Sequence, residues 1–311
     1  MNNARFDLVA LGEPLIEFNQ TRGSSDQYLH GFGGDTSNCS IAAARLGARA
    51  AYVTRIGGDP FGRMFLELWQ RERVDTSGVA IDPDAHTGIY FVTHGPKGHE
   101  FSYLRAGSAA SRMRASELPL DVIRAARVLH VSGISQAISA NACDAVFAAI
   151  DTARAAGAKI SFDSNLRLKL WPLARAKAVI CATIALCDYF LPSKDEAEQL
   201  SGATEPDTIL DWCHRLGAPL VALKIGSAGV WVSTGSTRQH IPGHRVKSVD
   251  ATGAGDCFDG AFMARLVAGD EPVAAARYAN AAAALATTGY GAVAHLPRHA
   301  DVAAFLASAN A

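Results

Sequence analysis

Charge of one sign is scarce in this chain of 311 residues: 29 Lys and Arg stand against 30 Asp and Glu, a formal net charge of −1. A surface that grips nucleic acid through its phosphates carries a basic excess, so that class is excluded. Cysteine is scarce too. The six, at positions 39, 143, 181, 187, 213 and 257, form no C-x-x-C pair and no Cys/His cluster with zinc spacing. A zinc module is thereby excluded, and reduced thiols in a cytoplasmic protein are expected. Long apolar runs are missing: none approaches the roughly 20 residues of a membrane span. The opening MNNARFDLVALGEP has no basic region leading into an apolar one, so no signal peptide is expected. There is no internal repeat and no G-x-x-x-x-G-K-[ST] phosphate loop, which argues against the P-loop enzymes.

What is present is an alternation. Hydrophobic residues make up 49% of the chain, enough for a sizeable core. Short apolar runs at 6–12, 48–58, 126–133, 158–165, 188–193 and 219–226 read as buried strands. A further strand, 229–234, follows a tight turn. Helical patterns fall between and after them, at 36–47, 60–73, 140–156, 172–184, 194–200, 207–216, 254–268 and 271–288. This order predicts an α/β fold: a three-layer α/β/α sandwich with a mostly parallel central sheet. Two stretches break the pattern with strand-like runs and no intervening helix. TGIYFVTHGPKGHEFSYLRAGSA (87–109) reads as a hairpin turning at GPKG, and 15–34 carries a second pair of runs. The expected division is a core of 1–14, 36–85 and 110–311, with 15–35 and 86–109 forming a discontinuous β lid. Ligands of such sheets gather at the C-terminal ends of the strands. That places Gly12, Gly57, Asn165, Arg167, Ser193, Lys224 and Gly226 near a site.

The most pointed stretch is VDATGAGDCFDGAFMARL, 249–266. Small residues admit close approach of the backbone, and a helix start offers unpaired N–H groups with a partial positive charge. An anion can be held there without a cationic side chain. The amides of 253–256, including Gly253, Ala254 and Gly255, suit a phosphoryl group in transfer, with Asp256 taking a proton from the attacking hydroxyl. An ordinary carboxylate pKa suffices if the proton moves late.

These residues carry a resemblance. DATGAGDCFDGAF looks like the C-terminal signature of the ribokinase (phosphofructokinase-B) family of sugar kinases, with Ala251 where Thr is usual. GFGGDTSNCSIAAARLGARAAYVTRIGGDPFG (31–62) matches the family's N-terminal signature, including Gly33, Gly34 and Asn38. The resemblance spans essentially the whole chain. It implies ATP and Mg2+ as cofactors, a small sugar as partner and a homo-oligomer, a dimer or larger, formed through the lid. It also implies a monovalent cation (K+) near Asp250 and 287–296, for which the sequence gives no separate support. Within LKIGSAGVWV, it makes Lys224, Gly226 and Gly229 a nucleotide loop. In FLPSKDEAEQL the family's Asn-x-x-Glu is changed to Ser193…Glu196. Glu196 is retained for an indirect, water-mediated metal role, and the local alternative is a capping box between Ser193 and Glu196.

The sugar must be read elsewhere. Arg105 ends a lid strand and Arg167 follows the strand that ends near Asn165. Two-pronged guanidinium donors match a carboxylate or phosphate, which points to a sugar acid. The segments around them resemble the branch of the family that phosphorylates 2-keto-3-deoxygluconate. On that resemblance Gly34, Tyr90, Tyr103, Arg105 and Arg167 contact the sugar, while Asn165 and Arg167 also lie near the ATP phosphates. Tyr90 and Tyr103 equally suit cross-strand packing. Fructokinase, ribokinase, a kinase of sugar phosphates and a non-catalytic sensor remain as alternatives. Glu13 and Glu17 are weaker candidates for a substrate-binding acid. His130, Trp171, Trp212 and Trp231 are expected to pack in the core. Pro242 and Gly243 exclude a helical metal pair of His240 and His244.

Overall fold

The computed structural model describes residues 4–21, 26–95 and 98–309. The strands are β1 (Phe6–Leu11), β2 (Leu15–Gln20), β3 (Tyr28–Gly33), β4 (Ala50–Gly57), β5 (Asp75–Asp82), β6 (Gly88–Gly95), β7 (Gly98–Leu104), β8 (Ala126–Ser132), β9 (Lys159–Asp163), β10 (Tyr189–Phe190), β11 (Leu220–Lys224), β12 (Gly229–Ser233) and β13 (Arg238–Pro242). Nine of them form one sheet in the order β13-β12-β11-β10-β9-β8-β1-β4-β5. The pairs from β11 to β5 are parallel, and β12 and β13 close one edge antiparallel.

A central parallel strand is covered on both faces, so it reads as a nearly continuous apolar run. FDLVAL in β1 is such a run. Its Leu8 and Ala10 join the apolar cluster on one face, and Val9 and Leu11 join the cluster on the other. Helices Asp35–Arg45, Pro60–Arg71, Ala254–Ala268 and Pro272–Ala286 fill the first layer. Helices Ala140–Ala155, Leu173–Ile184 and Pro206–Arg215 fill the second. Local chemistry sets the helix starts. Asp59 caps the 60–71 helix by accepting from the Gly62 amide at 2.7 Å, ahead of Pro60 at the first position.

The β10 strand is shorter than the sequence predicts, two residues where 188–193 reads as six. The regular ladder stops after Phe190, although Leu191 still donates to the Phe162 carbonyl of β9 at 2.9 Å, and it is resumed by a bridge between Ser193 and Lys224. Strands β5 and β13 and the helix His299–Ala309 escape the sequence reading altogether. The two strands lie at sheet edges, where one flank faces solvent and the apolar signature weakens.

The remaining four strands form a second sheet in the order β3-β2-β6-β7. Its two hairpins are antiparallel, but β2 and β6 join them in parallel, with Leu15 opposite Gly88. The reason is topological: β2 follows β1 and β6 follows β5, and both leave the same edge of the parallel sheet. The 87–109 hairpin forms as expected, with Gly95 opposite Gly98; the turn residues 96–97 lie outside the described set. Its strands also place Tyr90 directly opposite Tyr103, their rings stacked at 6.0 Å.

Candidate active site

The helix starts at 35 and 254 and the ends of β8, β9 and β11 converge at the C-terminal edge of the large sheet. Gly253 precedes the 254–268 helix in a left-handed conformation, φ 78°, and a Cβ there would come within 3.0 Å of Ala292. Gly255 differs. A Cβ on it would meet only Lys224 Nζ, at 3.7 Å, so packing does not require the glycine and the space above it is open. One expected amide is not available. Ala254 donates to the Ala251 carbonyl at 3.2 Å, closing the turn that leads into the helix. The amides of Gly253, Gly255 and Asp256 have no such partner among the described residues.

Asp256 lies half-buried in the first helical turn. It accepts from Asn38 Nδ2 at 2.8 Å and forms no ion pair among the described residues. Its pKa is not ordinary, although an ordinary one would suffice for a late proton transfer. Burial, then the charges of Asp35 and Asp163, push the carboxyl up to about 7, against the opposing pull of Asn38 and Lys224. A base poised near neutrality is well matched to proton transfer. Asp35 and Asp163 are missed by the sequence reading. Asp35, buried at the start of the 35–45 helix, accepts from Asn165 Nδ2 at 2.9 Å. Burial pushes its pKa up as well. A carboxylate directly after two glycines and before a helix is the signal that would have found it. Asn165 itself holds φ 32°, a sparsely populated conformation for a non-glycine residue.

The two arginines are anchored. Arg105 pairs with the carboxylate of Glu13, which is fully buried and also accepts from Ser108 Oγ. Its guanidinium lies 5.5 Å from the Tyr103 ring centroid. Arg167 pairs with Glu196 at 3.0 Å, and Glu196 also accepts from Ser164 Oγ at 2.7 Å. That geometry overturns the capping box: Ser193 sits at the N-cap of the 194–201 helix but makes no side-chain cap bond. The Glu196 carboxylate is drawn across to Ser164 and Arg167, in the segment just past β9, instead. Lys224 is likewise paired, with Asp259 and Asp163, beside the Gly255 opening.

Gly34 has a backbone reason to be glycine, φ 100° with a Cβ position 2.3 Å from the Glu13 carbonyl. Gly33 gives room to Tyr90, whose hydroxyl donates to buried Glu17. Burial raises the Glu17 pKa. Gly229, φ 108°, is pressed against the end of β13, where a Cβ would come within 2.0 Å of the Ile241 carbonyl, while Gly226, φ 62°, borders open space. Asp250 takes Thr252 and the Gly291 amide, which joins the 250–252 and 287–296 segments. His130 is a satisfied core residue on Ser161, and the three tryptophans pack as expected.

Buried polar atoms without a partner are uncommon and call for an explanation. Among the described residues three of them fall here: the acceptors Asn38 Oδ1 and Asn165 Oδ1 and the donor Arg105 Nε. The amide nitrogens of Asn38 and Asn165 donate to Asp256 and Asp35, so each Oδ1 is left as an acceptor for donors such as hydroxyl groups.

The pfkB family carbohydrate kinase profile matches residues 5–299. A 2-dehydro-3-deoxygluconokinase of Bacillus subtilis (strain 168) is 33% identical, over 98% of this chain and 96% of its own. Fructokinase-1 of Zea mays is 35% identical, over 95% and 96%. An E. coli chain assigned as ribokinase II, solved with ATP and Mg2+, superposes with a TM-score of 0.90 at 26% identity, over 97% and 99%.

Proposed function

The chain belongs to the pfkB family of carbohydrate kinases and is a phosphotransferase acting on a sugar hydroxyl; on that premise we propose that its acceptor is the 6-hydroxyl of 2-keto-3-deoxygluconate and its donor ATP. The 6-oxygen attacks the γ-phosphorus, and the bond from that phosphorus to the bridging oxygen breaks. ADP leaves with the electron pair, and Asp256 takes the hydroxyl proton. The amides of Gly253, Gly255 and Asp256 face the charge that builds on the phosphoryl oxygens. Arg167, held by Glu196, adds a cation beside the same atoms. Asn165, Lys224 and the Ser193 and 226–229 segments border the nucleotide's place. Closure of the smaller sheet over the site favours the sugar over water as acceptor.

The observation that carries the sugar-acid reading is the unpartnered Arg105 Nε–H, taken together with the unpartnered oxygens of Asn38 and Asn165. One donor for a carboxylate oxygen and two acceptors for hydroxyls match a polyhydroxy acid. A second reading has its own observation. Glu13 already neutralises Arg105, which favours a neutral hexose, and fructokinases match this chain as well as sugar-acid kinases do.

No group of three or more His, Cys, Asp or Glu side chains is set to hold a metal among the described residues. That suits Mg2+ arriving on the nucleotide phosphates, with Glu196 reached through water. The ion would neutralise phosphate charge. The joined 250–252 and 287–296 segments are where a monovalent cation would sit. Exposed Leu29 and Leu104 on the smaller sheet suit a homo-oligomer formed through it. ADP release measured across 2-keto-3-deoxygluconate, its galacto epimer, gluconate, fructose, ribose and fructose 6-phosphate tests the substrate. The highest kcat/KM is expected on 2-keto-3-deoxygluconate; a neutral sugar in first place overturns the assignment.

A further inference from the structure

Lys224 leaves the end of β11 and places Nζ 2.9 and 3.1 Å from the two oxygens of Asp259 and 3.4 Å from Asp163 Oδ1. The Lys224 side chain is 13% exposed and that of Asp259 1%. Asp259 follows Asp256 by three residues, so the two carboxylates share one face of the 254–268 helix. Nothing in the phosphoryl-transfer reading uses Asp259. A buried ion pair is seldom explained by stability, since well-packed apolar residues of similar volume often do as well or better. The position of the ammonium offers a different reason: it is the atom that borders the open space at Gly255.

We propose that Asp259 is a positioning residue for the reaction: it holds the Lys224 ammonium beside Gly255, where that charge faces both the incoming phosphoryl group and the carboxylate of Asp256. The inference rests on the reading of Asp256 as base and of the 253–256 loop as the phosphoryl site. Around Asp256 stand Asp35 and Cys39 from the 35–45 helix, Asp163 from β9, Lys224 from β11, and Cys257 and Asp259 from its own helix. Glu196 faces Lys224 from the 194–201 helix. Lys224 supplies the positive charge in this set. Burial works against its protonation, but the charges of Asp163 and Asp259 outweigh that and hold it above an ordinary lysine. Left to burial and its carboxylate neighbours alone, Asp256 would retain its proton further into the alkaline range.

The test is the acid limb of kcat/KM against pH, measured with the best substrate of the panel. Lys224→Met removes the cation and is expected to move the midpoint up by about one unit or more. Asp259→Asn releases the ammonium from its anchor and is expected to move the midpoint up as well, by less than Lys224→Met. Lys224→Arg is expected to keep the wild-type midpoint. A merely structural pair lowers the melting temperature in both variants and leaves both midpoints in place, and that result overturns the proposal; a midpoint moved down in Asp259→Asn, the mark of a cation that stays without its anchor, overturns it too. If Lys224→Met does not fold, the near-isosteric Asp259→Asn decides alone, and an unmoved midpoint there is equally fatal. The two readings fail separately. Near-normal kcat in Asp256→Asn sinks the base; an inert Asp256→Asn with unmoved midpoints in the pair variants sinks only the role of Asp259.

Discussion

Replacing Asp256 by Asn should destroy turnover and stabilise the protein, and the second effect should depend on pH. The Asp256 carboxyl has a pKa of about 7 in the folded chain and an ordinary one near 3.8 when unfolded. The folded state therefore binds the proton more tightly. Below about pH 4 both states are protonated and the shift costs nothing. Between about 4 and 7 the unfolded chain ionises while the fold resists, so stability falls with rising pH. A shift of about three units corresponds to roughly 4 kcal/mol at full development, an upper bound for a half-buried group. Asparagine has no charge to desolvate and can still accept from Asn38. Urea unfolding of the ligand-free protein at pH 5 and pH 8 measures the difference. Asp256→Asn is expected to gain about 1.6 kcal/mol at most over wild type at pH 5 and roughly 4 kcal/mol at most at pH 8, with unchanged slope. Its kcat is expected to fall by orders of magnitude while substrate binding persists. An equal gain at both pH values would refute the argument. So would a wild-type kcat/KM whose acid limb lies at the ordinary carboxylate range and not near 7.

Other outcomes follow from the same site. Arg105→Ala should raise KM for a sugar acid about 10–100-fold, the worth of a charged hydrogen bond, and barely change a neutral analogue; equal losses on both would mean that Arg105 does not read a carboxylate. Gly255→Ala should fold with near-normal stability, because the added methyl meets only Lys224 Nζ at 3.7 Å, yet lose most turnover in steady-state assays because it fills the phosphoryl space. Gly34→Ala should instead lose stability by about 2 kcal/mol or more, since φ 100° and a carbonyl at 2.3 Å forbid a side chain; a normal melting temperature would contradict that geometry.

Much of this molecule is legible in its sequence where one physical signal acts alone. The β1 run FDLVAL, buried on both faces, and the glycine punctuation before Asp256 are local patterns with local causes. The edge strand β5 is harder: only two of its eight residues are buried, and its pattern resembles loop. The partners of the charged groups were not legible. Arg105 meets Glu13 across 92 residues and Lys224 meets Asp163 across 61, and no spacing rule joins positions that far apart. Asp259 could have been found. A lone carboxylate inside the apolar helix CFDGAFMARL must have a buried cation nearby, because an uncompensated charge there is too costly.

The parallel pairing of β2 with β6 makes the smaller sheet a single board, fastened by four straps at residues 12–14, 34, 83–87 and 105–109, all at one end of its strands. A board held along one end can rock about that end but resists twisting out of plane. Any swing it makes is therefore a rotation about the strapped end. Cutting one strap would leave the strands laced together and the board still attached by the other three.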